Sequence, residues 1–140
     1  MFAKKDTQVI QKLKSLSIDC EIAINTIIYG ELMMMVEKSD KKQENLALLN
    51  AFIKRLKVYS IDEATSKIYG KFYVEIIDKL GPREKAKRRK FGIKDAGVQI
   101  NDLWIACTAI QHNLIIVSED RDFRVMNQVR DLKLECWKKR

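Results

Sequence analysis

The sequence predicts an α/β domain in which helices pack on a mainly parallel sheet. Segments with the apolar pattern of strands alternate with segments of helical spacing along the 140 residues. Residues 114–118 read Leu-Ile-Ile-Val-Ser, a continuous apolar run that is typical of a parallel strand covered on both faces. Internal repeats and a compositional break are both missing from the sequence, so we expect a single domain over residues 1–140.

Apolar periodicity assigns the elements of the first part of the chain. Thr26 is the expected cap of a helix that carries Glu31 in its second turn, just beyond the carboxyl end of a strand. In order, the predicted elements are a helix over about 6–16, a strand over 20–25, a helix from 26 to about 37, a helix over 46–56 and a short strand over 57–60.

The second part of the chain has clearer helix boundaries. Asp62 is the expected cap of a helix that Gly-Pro at 81–82 ends. Asp102 lies in the first turn of a later apolar helix, where the partial positive charge of the helix end favours a carboxylate. In order, the predicted elements are helices over 62–80 and 101–112 and strands over 114–118 and 132–137.

Composition excludes some classes of protein. No apolar run approaches the ~20 residues of a membrane span, and residues 1–6 are not followed by a signal-peptide core, so we expect a cytoplasmic protein. The three cysteines are far apart and there is one histidine, which disfavours a zinc site. The formal net charge of +8 favours a polyanionic partner.

Three predicted elements deliver carboxylates to one edge of the sheet. Glu31 and Asp120 each follow a strand, and Asp102 begins the helix that leads into the strand at 114–118. Clustered acids repel one another unless a cation lies among them, and oxygen ligands suit Mg²⁺ or Mn²⁺. Each residue taken singly is as well explained as a cap, a turn former or a solvated side chain, and both interpretations stay open.

Three segments resemble motifs of PIN-domain ribonucleases, and within them the VapC-like toxins of toxin–antitoxin pairs. They are Ile-Ala-Ile-Asn-Thr-Ile-Ile-Tyr-Gly-Glu-Leu at 22–32, Asn-Asp-Leu-Trp-Ile-Ala at 101–106 and Val-Ser-Glu-Asp-Arg-Asp-Phe at 117–123. Tyr-Gly at 69–70 and Leu-Glu-Cys-Trp at 134–137 also fit. The resemblance covers nearly the whole chain from about residue 6, and it implies a three-layer α/β/α PIN-like domain.

The resemblance also implies a metal centre and its chemistry. Glu31, Asp102 and Asp120 correspond to the catalytic, metal-binding acids, with Asp122 as a further metal neighbour and Ser118 as a supporting hydroxyl. The family implies cleavage of single-stranded or loop RNA with Mg²⁺ or Mn²⁺. It also implies a homodimer that an antitoxin inhibits, with Met33–Met35 as a candidate dimer surface.

The sequence departs from the family at its start, where members have a central strand ending in Asp-Thr-Asn. Asp-Thr-Gln at 6–8 is similar, but Phe-Ala-Lys-Lys at 2–5 is short and polar for a central strand. Asp6 therefore either caps a helix or is the missing acid. We expect the first strand of the fold to be absent from residues 1–140, with its aspartate upstream of Met1 or lost.

Residues 81–100 are interpreted as a basic insertion loop. Seven basic residues and one acidic residue, Glu84, lie in the segment from Arg83 to Lys94. Arg88, Arg89 and Lys90 are candidate RNA-binding residues because their charge attracts phosphates, and Phe91 is placed to stack on a base. A solvated loop and a surface for an acidic antitoxin segment are the alternatives.

Two functions follow from these residues. The first is a metal-dependent endoribonuclease of the toxin type. The second is a catalytically incomplete PIN-like domain that binds RNA or an antitoxin, which the missing Asp-Thr-Asn strand favours. Metal binding that depends on Asp102 separates the two.

Overall fold

The computed structural model describes residues 21–136, which form two compact units, 21–60 and Ile61–Cys136. The predicted helix over 6–16, the role of Asp6 and the expected absence of the family's first strand concern residues outside the described ones. None of the helices within 21–136 combines the length and apolar character needed to cross a lipid bilayer.

The first unit holds a parallel strand pair and two helices. β1 (Ala23–Asn25) pairs with β2 (Lys57–Tyr59), and Ile24 lies opposite Val58. Between these strands the chain forms α1 (Thr26–Lys38) and α2 (Lys42–Ile53), which pack on each other.

The cap of α1 differs from the prediction by one residue. Asn25, not Thr26, is the N-cap, and its Oδ1 accepts a hydrogen bond of 3.0 Å from the amide of Ile28. Asparagine is a better cap than threonine, and Asn25 is also buried, at the end of β1. Glu31 lies in the second turn of α1, as predicted.

The second unit is built around one helix pair. α3 (Glu63–Leu80) packs along α5 (Ile100–His112), and α6 (Arg121–Val129) contacts both. The core that they share is mainly apolar, and Thr65 and Thr108 are buried polar residues of the same helices. Its largest fully buried side chains include Phe72, Ile76, Ile93, Leu103 and Met126.

The second strand pair is also parallel. β3 (Ile116–Val117) pairs with β4 (Leu134–Glu135), and Ile116 lies opposite Leu134. The prediction that both faces of the strand at 114–118 are covered is wrong. Ile115 is 54% exposed and Val117 is 44% exposed, whereas Ile116 is buried. Every strand pairing in the described part of the chain is parallel, which confirms the α/β class with parallel strands.

The basic segment at 81–100 is more ordered than the predicted loop. Residues Lys85–Lys90 form a short helix, α4, and residues 93–97 form hydrogen-bonded turns before α5 begins. Gly97 has φ +88°, a left-handed conformation that glycine adopts without strain. The interpretation of 81–100 as an insertion stays a prediction.

Candidate metal centre

Three aspartates of the second unit converge at the first turns of α5 and α6. One carboxylate oxygen from each of Asp102, Asp120 and Asp122 lies within 4.8 Å of the other two. Asp102 and Asp122 are half-buried, whereas Asp120 is exposed. We call these three residues the aspartate cluster.

Asp102 and Asp122 both lie in first turns, where the exposed amide groups of a helix end favour negative charge. A hydrogen bond between a backbone amide and a carboxylate connects the starts of these two helices. The amide of Gln99, the N-cap residue of α5, donates a hydrogen bond of 2.8 Å to Oδ2 of Asp122. The bond fixes the orientation of the Asp122 carboxylate beside the start of α5.

Asp120 is oriented by its own turn. Its Oδ1 accepts a hydrogen bond of 3.0 Å from the amide of Asp122, so Asp120 is the N-cap of α6. The amide of Asp120 in turn donates a hydrogen bond of 3.0 Å to Oγ of Ser118. Ser118 therefore contacts Asp120 through the backbone, and its predicted role as a supporting hydroxyl of the metal centre stays a prediction.

The donor set fits a hard divalent cation. Mg²⁺ binds oxygen at about 2.0–2.1 Å, so two oxygens on opposite sides of one ion are about 4.2 Å apart. One oxygen from each of the three carboxylates lies within 4.8 Å of the other two, so a single ion could be shared among them. Three carboxylates at this distance repel one another, and a bound cation removes the repulsion.

Glu31 is not part of the aspartate cluster as the structure describes it. It is half-buried on α1, in the first unit, whereas the cluster belongs to the second. Its predicted role as a metal ligand stays a prediction.

The predicted RNA-binding residues differ in their surroundings. Arg88 forms an ion pair with Asp78 of α3 and is partly buried, so part of its charge is compensated. Arg89 and Lys90 are exposed, and neither forms an ion pair with another residue in the range 21–136.

Sequence comparison gives the family of the chain. The family model for the PIN domain matches residues 3–128. The chain belongs to the PIN domain family. The predicted resemblance and the predicted PIN fold are therefore confirmed.

Named relatives of this PIN domain are ribonucleases. The chain is 30% identical to ribonuclease VapC2 of Rickettsia felis over 84% of this chain and 75% of that protein. It is 29% identical to ribonuclease VapC4 of Mycobacterium tuberculosis over 78% of this chain and 74% of that protein.

A solved structure agrees with the fold. The crystal structure of VapBC2 from Rickettsia felis, bound to a DNA fragment from their promoter, matches this PIN domain with a TM-score of 0.73 and 27% identity. The match covers 95% of this chain and 87% of that chain.

Sequence reasoning named the members of the aspartate cluster but missed Gln99, which orients one of them, Asp122. Gln99 acts through its backbone amide, and a backbone amide leaves no signal in residue type. A turn-forming Gly97 just before the helix start was the only available hint.

Proposed function

We propose that this chain is a metal-dependent endoribonuclease that cleaves single-stranded or loop RNA and acts as the toxin of a toxin–antitoxin pair. The observation that carries the proposal is the aspartate cluster, in which Asp102, Asp120 and Asp122 bring carboxylate oxygens within 4.8 Å. The ribonuclease relatives support the choice of RNA as substrate.

In this proposal Asp102, Asp120, Asp122 and Glu31 hold Mg²⁺ or Mn²⁺. A divalent ion in such a site supplies activation of water and neutralisation of charge on a phosphodiester. The chain's own contribution is orientation, because the amides of Gln99 and Asp122 hold two of the carboxylates in place.

The test is calorimetric titration with Mn²⁺, together with cleavage of a hairpin RNA with a single-stranded loop. We expect saturable binding and cleavage in the unaltered protein and the loss of both in Asp102→Asn. Asp131→Asn is the control, because Asp131 is an exposed aspartate beyond the other end of the α5 helix. Absence of Mn²⁺ binding up to millimolar concentration would favour the catalytically incomplete PIN-like domain.

Glu31 requires a separate test because it lies in the other unit. We expect Glu31→Gln to weaken Mn²⁺ binding, since it removes one negative charge from the proposed ligand set. Glu44→Gln is the control, because Glu44 is an exposed glutamate of α2. Equal Mn²⁺ affinities of the two variants would remove Glu31 from the site.

The basic helix α4 is proposed to attract RNA through Arg88, Arg89 and Lys90. Because Arg88 is paired with Asp78, Arg89 and Lys90 should carry most of the effect. We expect Arg89→Ala with Lys90→Ala to flatten the salt dependence of RNA binding, and Arg88→Ala to change it less. An unchanged slope in the double variant would exclude this role.

An antitoxin and a second copy of the chain are the proposed protein partners. VapBC structures are among the matching folds, and Met34 and Met35 are exposed on α1, which supports an interface there. Met34→Lys is expected to lower the molar mass measured by light scattering. Cytoplasmic location stays a prediction from the sequence.

A further inference from the structure

A surface groove of about 810 Å³ lies against the aspartate cluster. Asp122 belongs to the groove and to the cluster, so the groove opens beside the proposed metal ligands. Its other lining residues include Lys94, Gly97, Gln99, Ile100 and Asn101.

Lys94 lies on a turn of this groove whose backbone is held in place by hydrogen bonds. The turn that carries it is closed by hydrogen bonds of 3.0 Å, from the amide of Gly97 to the carbonyl of Lys94 and from the amide of Val98 to the carbonyl of Ile93. Ile93 and Val98 are 2% and 1% exposed, so both ends of the turn are anchored in the core. Holding the lysine backbone in advance lowers the entropy lost when the side chain binds a ligand.

The charge of Lys94 is not compensated by an ion pair within the described part of the chain. The side chain forms no ion pair within 4.0 Å with any residue between 21 and 136. The adjacent Asp95 points elsewhere, because its Oδ2 accepts a hydrogen bond of 2.8 Å from the amide of Gly92. An exposed cation on a hydrogen-bonded turn, in the groove that Asp122 also lines, is suited to an anionic group that reaches the cluster from the groove.

The rest of the groove suits a nucleotide. Ile100 is 45% exposed and offers an apolar contact for a sugar or base. Asn101 and Gln99 are exposed amides, and an amide side chain both donates and accepts hydrogen bonds. A cation, an apolar surface and amides in one groove match a phosphate, a ribose and a base edge of a single strand.

Resting on the proposed ribonuclease function, we propose that Lys94 binds a backbone phosphate of single-stranded RNA in this groove, next to the phosphodiester at the aspartate cluster. Lys94 is thus a substrate-binding residue and holds no metal.

The test compares Lys94→Gln with Lys133→Gln. Lys133 is the matched control, since it is an exposed lysine that lines a different cavity, at the C-terminal end of α5. Affinity for a short single-stranded RNA of mixed sequence is measured over a range of salt concentrations in the Asp102→Asn background, so that no cleavage occurs.

We expect Lys94→Gln to weaken RNA binding on the order of tenfold at low salt, as for loss of one charge-assisted contact. The slope of log K against log salt should fall by about 0.7, the value for one phosphate contact on a single strand. Lys94→Arg should restore the slope, and Lys133→Gln should leave it unchanged. A slope in Lys94→Gln equal to that of Lys133→Gln would overturn the proposal.

Two further measurements separate this inference from the proposed function. With Asp102 intact, Lys94→Gln should bind Mn²⁺ as the unaltered protein does, because Lys94 is not a ligand. If Mn²⁺ binding and cleavage are absent but the salt dependence of RNA binding still changes in Lys94→Gln, the RNA-binding role of Lys94 is supported and the nuclease proposal fails. If Lys94→Gln weakens binding of a poly-glutamate peptide but not of RNA, the groove is a peptide site and the inference fails.

Discussion

The amide of Gln99 and the carboxylate of Asp122 form a hydrogen bond of 2.8 Å between residues 23 positions apart in the chain. Gln99 is the N-cap of α5 and Asp122 lies in the first turn of α6. One bond therefore connects the starts of the helices that carry Asp102 and Asp122. It fixes two proposed ligands with respect to each other.

Gln99→Pro tests this bond without removing a carboxylate. Proline has no amide hydrogen, and its φ of about −65° is close to the −81° of Gln99. We expect Mn²⁺ affinity to fall about 10- to 100-fold, the range found when a group that orients a ligand is lost. Gln99→Ala keeps the amide and should bind Mn²⁺ normally, as calorimetry will show. Similar affinities for the two variants, with matching circular dichroism spectra, would contradict the role given to the bond.

Asp62 should make stability depend on pH in the acid range. Its folded-state pKa is lowered from 3.8, mainly by the hydrogen bond from the Thr65 amide and then by the side chain of Gln111. A lowered folded pKa means that the stabilising contribution is complete above about 3.8 and is lost as pH falls through the folded value. In thermal melts below pH 4, we expect the unfolding temperature of Asp62→Asn to depend less on pH than that of the unaltered protein. Glu63→Gln, at the neighbouring exposed position, should show the same fall in unfolding temperature with decreasing pH as the unaltered protein.

Cys107 should resist alkylation in the folded protein. It is fully buried, and burial raises the pKa of its thiol to about 12, although Arg130 acts in the opposite direction. Since the thiolate is the reactive form, iodoacetamide at pH 8 should label the exposed Cys136 and spare Cys107. Peptide mapping by mass spectrometry measures both sites, and addition of denaturant should equalise them. Labelling of Cys107 at the rate of Cys136 without denaturant would contradict the packing described here.

Asn113 ends α5 in a left-handed conformation, with φ 55° and ψ 48°. A β-branched side chain is strained there, whereas glycine is not. We expect Asn113→Val to lower the free energy of unfolding by about 1–2 kcal/mol. Asn113→Gly should change it little, and chemical denaturation measures both values. If the valine variant proved as stable as the glycine variant, the backbone at this helix end would differ from the one described.

The sequence predicted the helices well where capping residues and periodicity agree. Asp62 is the cap of α3, as expected, and its helix ends at Leu80, just before Gly81. The choice of Thr26 as a cap was wrong, because asparagine is the stronger capping residue of the two and Asn25 directly precedes Thr26. The apolar run at 114–118 predicted a parallel strand correctly, but it did not reveal which faces other elements cover.

The candidate site was predictable in residue type and less so in geometry. Asp102, Asp120 and Asp122 were named from motifs and helix starts, and the structure brings these three together. The backbone bond from Gln99 and the stacking of Tyr69 on Trp104, with ring centroids 3.9 Å apart, depend on tertiary contacts that no periodicity encodes. The ion pair of Arg88 with Asp78 could not be predicted from the sequence for the same reason.

Asp120 both begins α6 and contributes an oxygen to the aspartate cluster. A substitution there that abolishes activity is ambiguous, because a frayed helix and a lost ligand produce the same phenotype. Genetic screens for inactive alleles would therefore recover this codon for two reasons at once. Asp102 is the N-cap of neither helix, so a substitution there tests the proposed ligand without removing an N-cap.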